Sequence, residues 1–139
     1  MNEVKVRICP EPSSDPDPFH TPDKLDLLGI SEPADKLLKE ITPICAGVEL
    51  ARELVGAPAN TLTPAALANS AILLANDYGL EAKVLEIEEC KAKGMGAFLA
   101  VSQGSDLKPK FIHLTYRPKG NVQKRLVMVG KGLTFDSGG

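Results

Sequence analysis

Helical and extended patterns alternate along this chain, and the alternation predicts an α/β fold. Three observations carry that prediction. Apolar residues recur at helical spacing over residues 34–55 and 64–78, and short apolar runs of strand length stand at 82–87 and 110–117. The chain closes on a run apolar at four successive positions, Leu126, Val127, Met128 and Val129, which suits a strand buried on both faces. Two glycine-rich corners follow it, and α/β folds place their sites where such strands end.

In chain order, Val4, Val6 and Ile8 share one face of a short strand. Pro10, Pro12, Pro16, Pro18 and Pro22 then exclude regular structure, so this passage, with His20 facing solvent, reads as a surface loop or linker. Leu37, Leu38, Ile41, Ile44, Cys45, Val48, Ala51, Leu54 and Val55 form the apolar stripe of one long helix or of two in succession. Pro43 leaves both open: it either starts a second helix capped by Thr42 or kinks a longer one. Arg52 and Glu53 read as solvated surface.

A loop over residues 56–64 contains Asn60, which reads as a turn residue, and ends in Thr63-Pro64, a helix start. Leu67, Ala71, Leu74 and Tyr78 are the expected buried stripe of that helix, and Gly79 its terminator. A strand at 82–87 leads to a helical turn at 88–93. Gly94 and Gly96 break it before a compact helix at 98–101, with Met95 and Phe98 expected in the core. The strand at 110–117 contains His113, read as a structural histidine. Residues 118–121, Pro-Lys-Gly-Asn, make a turn, and the sheet resumes at Arg125. No internal repeats are present.

With 43% hydrophobic and 24% charged residues, the 139-residue chain can bury one modest core. A net charge of −2 gives no reason to expect nucleic acid or an anionic membrane as partner. Cys9, Cys45 and Cys90 are widely spaced without a paired motif, so each is expected to be a core thiol in a reducing compartment. No leader and no membrane-length apolar run is evident, which predicts the cytoplasm, or a plastid for a longer chain carrying a leader.

The chemistry concentrates after Val129. Gly130 and Gly132 bracket Lys131, and Ser137, Gly138 and Gly139 follow Asp136; glycines permit positive φ and close approach of a ligand. Two phosphate-binding motifs fail here. A Walker loop needs glycine at Arg125 and a hydroxyl residue at Gly132, and a dinucleotide fingerprint from Gly130 needs glycine at Phe135. On spacing alone, Lys131 and Asp136 read as an ion pair across a turn.

Residues 129–139, Val-Gly-Lys-Gly-Leu-Thr-Phe-Asp-Ser-Gly-Gly, closely resemble the first metal-binding signature of the leucyl aminopeptidase family of metallo-exopeptidases. Asn-Thr-Leu-Thr-Pro at 60–64 and Gly-Met-Gly-Ala-Phe-Leu-Ala-Val-Ser-Gln-Gly at 94–104 match in the same order, so the resemblance covers roughly residues 40–139. It implies the N-terminal part of a mixed-sheet, helix-flanked catalytic domain over residues 34–139, inter-lobe helix included. Residues 1–33 would be the tail of an N-terminal lobe and its proline-rich linker.

The resemblance further implies two divalent metal ions, zinc, manganese or magnesium, with Lys131 and Asp136 among their ligands. A lysine binds metal only as the neutral amine, and lowering its pKa from about 10.4 to below about 7 costs on the order of 5 kcal/mol, which the ion's charge must supply. In the family a second lysine, two aspartates, a glutamate and an arginine follow this signature, which here places them beyond Gly139. Glu86, Glu88 and Glu89 lie upstream and do not replace them. The implied activity is release of N-terminal residues, leucine preferred, from peptide substrates by a homo-hexamer. A second reading is a catalytically inactive product serving in interaction or assembly, with an unpaired sheet edge.

Overall fold

The computed structural model describes residues 5–8, 25–28, 34–121 and 124–136, with side chains from residue 36 onward. The prolines at 10–22, His20 and Cys9 lie outside the described residues, as do Val4 and residues 137–139. The chain divides within one helix into two units, one reaching Leu50 and one beginning at Ala51.

In the first unit β1 (Lys5–Ile8) and β2 (Leu25–Leu28) pair antiparallel, Lys5 opposite Leu28 and Ile8 opposite Leu25. The first strand matches the sequence pattern. The second was not anticipated: its only signal is Leu25 and Leu27 alternating about Asp26, four residues beside a proline-rich passage. α1 (Ala34–Gly56) is one continuous helix of 23 residues with Pro43 inside it, so the two-helix alternative falls. Proline removes an amide donor from the helix interior. One turn earlier the Thr42 hydroxyl donates to the Leu38 carbonyl at 2.7 Å. The anticipated stripe is present but largely solvent-facing: Leu37, Leu38, Ile41, Ile44, Val48, Ala51 and Val55 are exposed, and Leu54 is half-buried. Cys45 is exposed with them, against the expectation of a core thiol.

The second unit contains α2 (Pro64–Tyr78), β3 (Glu81–Leu85), α3 (Ile87–Ala92), α4 (Gly96–Val101) and β4 (Phe111–Thr115). α2 starts and stops where local chemistry dictates. The Thr63 side chain accepts from the Ala66 amide at 3.2 Å, Pro64 occupies the first turn, and Gly79 ends the helix at φ 65°. That left-handed geometry costs a residue with a Cβ roughly 1–2 kcal/mol. The buried face centres one residue later than the sequence suggested. Ala68 and Ala75 are buried, Leu67, Ala71 and Leu74 flank them half-buried, and Tyr78 is 61% exposed. Small side chains at the centre let the helix backbone lie close to the sheet, and the leucines close the sides.

β3 and β4 pair antiparallel, Glu81 opposite Thr115, Lys83 opposite His113 and Leu85 opposite Phe111. Ala82, Val84, Ile112 and Leu114 share one face, and α2 packs against both strands. β3 ends before the anticipated residue 87 because Glu86 caps α3, its amide donating to the Glu89 carboxylate at 3.1 Å. Leu85 and Cys90 complete the buried set among the described residues. The Phe98 and Phe111 rings meet edge to face, centroids 5.7 Å apart at 86°, an arrangement worth about 0.5–1.5 kcal/mol beyond burial. No described helix is long and apolar enough to cross a membrane.

The caps and the thiols of this unit and of α1 set four expected outcomes. Thr63→Ala should lower unfolding free energy by about 1 kcal/mol through loss of the cap. Gly79→Ala should cost about 1–2 kcal/mol through backbone strain, since nothing lies within 4 Å of a Cβ there; urea midpoints of the folded chain read both. Burial pushes the Cys90 thiol pKa up, with Glu89 and Glu86 adding to it. A folded-state pKa raised above the unfolded value gives stability that is complete below about pH 9 and lost as pH rises through the folded pKa. Cys90→Ala should therefore flatten the alkaline limb of the stability curve. In a Cys9→Ser background a thiol reagent should label Cys45 fast and Cys90 only on unfolding.

Candidate metal centre

Residues 124–136 run without helix or strand assignment. The buried strand expected at 126–129 does not form: Leu126, Val127, Met128 and Val129 are 71–94% exposed and pair with no described strand. An apolar segment becomes a strand only when a neighbour takes up its amides and carbonyls. The two-stranded β3–β4 sheet keeps an unpaired outer edge on each strand among the described residues, and the segment docks on neither.

Beyond that run the chain returns to α2. A Cβ on Gly132 would stand 3.7 Å from Leu67 Cδ2, so the turn lies against the flank of the helix. A Cβ would be accommodated there in ordinary contact, so neither close approach nor backbone conformation demands glycine at 132. Among the described residues positive φ occurs at Gly79, Gly94 and Gly120, not at Gly130 or Gly132. Sequence reasoning did not join Leu67 to this turn; 65 positions separate them, and no spacing rule reaches that far.

The turn brings Lys131 and Asp136 together. Lys131 Nζ stands 3.8 Å from Asp136 Oδ2, with both side chains exposed. Donors about 2.1 Å from one ion at a tetrahedral angle are about 3.4 Å apart, a spacing close to the 3.8 Å between Lys131 Nζ and Asp136 Oδ2. An amine nitrogen and a carboxylate oxygen also suit a borderline divalent cation. The donor set fits part of a centre: among the described residues no three His, Cys, Asp or Glu side chains group as ligands.

The upstream carboxylates are engaged elsewhere. Glu86 pairs with Lys110, Glu88 with Lys91 at 3.0 Å, and Glu81 takes both arms of Arg117 at 2.6 and 3.1 Å. Hydrogen bonding to Arg117 holds the Glu81 carboxyl below its ordinary pKa. His113 is exposed, its Nε2 3.4 Å from the Thr115 hydroxyl.

Residues 49–139 match the catalytic domain of the cytosol aminopeptidase family. A "Probable cytosol aminopeptidase" of Prochlorococcus marinus (strain MIT 9211) is 69% identical over 125 residues, covering 90% of this chain and 25% of the relative. Another, from Prochlorococcus marinus (strain MIT 9313), is 66% identical over 137 residues, or 99% of this chain and 27% of its own length. One from Synechococcus sp. (strain CC9605) is 62% identical over 90% of this chain and 26% of its own. The chain thus spans about a quarter of the length of the curated relatives it matches. With the matched region covering residues 60–64, residues 94–104 and the Lys131–Asp136 turn, the chain belongs to the cytosol aminopeptidase family.

Proposed function

We propose that this chain supplies the first ligand-bearing turn of a metal-dependent aminopeptidase that releases N-terminal residues, leucine preferred, from peptides. The observation that carries the reading is the approach of Lys131 to Asp136 within a signature the family shares. Lys131 serves as a neutral amine donor and Asp136 as a hard oxygen donor, and Gly130 and Gly132 keep side-chain bulk away from both. Two divalent ions, zinc, manganese or magnesium, would supply charge to polarise the scissile carbonyl and acidify a water. Each needs about four donors, so further carboxylates must join this pair in the working enzyme. Residues 1–33 serve as lobe tail and linker and 34–139 as the opening of the catalytic domain, in a cytoplasmic homo-hexamer without nucleic-acid or membrane partners.

In a full-length enzyme carrying this segment, Lys131→Ala and Asp136→Ala should each lower both bound metal and hydrolysis of leucine amides. The loss should exceed the 10–100-fold typical of outer-shell changes, with circular dichroism unchanged. Retention of full metal stoichiometry in either variant would remove these residues from the centre. The second reading, an inactive assembly protein, is favoured by the exposed 126–129 run. It would replace the first if the endogenous protein proves to be a 14.8 kDa species that binds no metal.

A further inference from the structure

We propose a second, independent site in this chain: a cleft on the β3–β4 sheet that binds an organic carboxylate with an aromatic or branched apolar body. Lys83, Leu85, Lys93, Met95, Phe111 and His113 line about 370 Å³ of open space. That is within the range of small-molecule sites.

The register builds the cleft. Lys83 faces His113 across the strands and Leu85 faces Phe111 two positions along, all four on one side of the pleat. One end of the cleft is therefore basic and the other apolar. The turn after α3, where Gly94 takes φ 67°, brings in Lys93 and Met95. The apolar end is fixed: Leu85 is 5% exposed, and Phe98 holds Phe111 edge-on. A thioether beside an aromatic ring adapts to varied apolar shapes.

The charge balance around the cleft selects the occupant. Lys91, Lys110 and Arg117 each hold a carboxylate, respectively Glu88, Glu86 and Glu81. Those pairings take up Glu81, Glu86 and Glu88, and Glu89, the other acidic group in the first turn of α3, accepts a hydrogen bond from the Glu86 amide. Lys83 and Lys93 form no ion pair among the described residues. Two uncompensated ammonium groups beside an apolar wall favour a ligand with one anionic head and one apolar body. A bare inorganic anion leaves the wall wet, and a neutral apolar molecule leaves the lysines unpaired.

The test is an amide-resolved NMR titration of this chain with 4-phenylbutyrate, 4-phenylbutanol and acetate. We expect saturable shifts at Lys83, Leu85, Lys93, Phe111 and His113 with the acid, and at least about fivefold weaker binding of the alcohol. Acetate should be weaker than 4-phenylbutyrate. The Lys83→Met/Lys93→Met double variant should lose the preference for acid over alcohol, and Lys91→Met should keep it, both with circular dichroism matching the parent. Equal binding of acid and alcohol, an undiminished preference in the double variant, or no saturable shift up to about 10 mM acid would each overturn the proposal.

Discussion

The pairing of β3 with β4 governs the second unit. A slip of one residue in an antiparallel ladder sends every side chain to the opposite face. In the observed register Ala82, Val84, Ile112 and Leu114 share one face, Val84 and Ile112 half-buried at its centre, while Lys83 and His113 stand on the other side with the buried Leu85. A slip of one strand would replace the pairing of Leu85 with Phe111 by an apolar residue set against a polar one. Burial of Leu85 on one side and half-burial of Val84 and Ile112 on the other therefore both oppose a slip, and the register in turn sets Lys83 beside His113.

Features set by neighbours in sequence were legible from sequence. Thr63 and Pro64 start α2 and Gly79 ends it because capping needs only residues a few positions apart. The proximity of Lys131 and Asp136 was legible for the same reason: five positions across a glycine-rich turn hold two side chains near each other. Glu86 also acts locally, yet its capping role was hidden within an apolar run that read as more strand.

What escaped sequence depends on distant partners. Nothing in the composition of residues 126–129 tells whether a neighbouring strand stands beside them, and in this structure none does. The burial of Ala68 and Ala75 rather than a stripe through Tyr78 was decided by where the sheet meets α2. A periodic pattern fixes an apolar face to within about one residue on a helix whose neighbouring positions are 100° apart, and packing chooses among them. The contact between Gly132 and Leu67 belongs to the same class.

Both ends of the β3–β4 ladder are tied by ions, and the ties differ in kind. Glu81 and Arg117 close one end in open solvent, whereas at the other Glu86 meets Lys110, whose side chain is only 19% exposed. Dissolved salt weakens an exposed pair and reaches a sheltered one less. Rising ionic strength should therefore open this strand pair directionally, fraying first beyond Lys83 and His113 and last beside Leu85 and Phe111. The same two strands would then behave as a hinge whose apolar end stays shut while its basic end breathes.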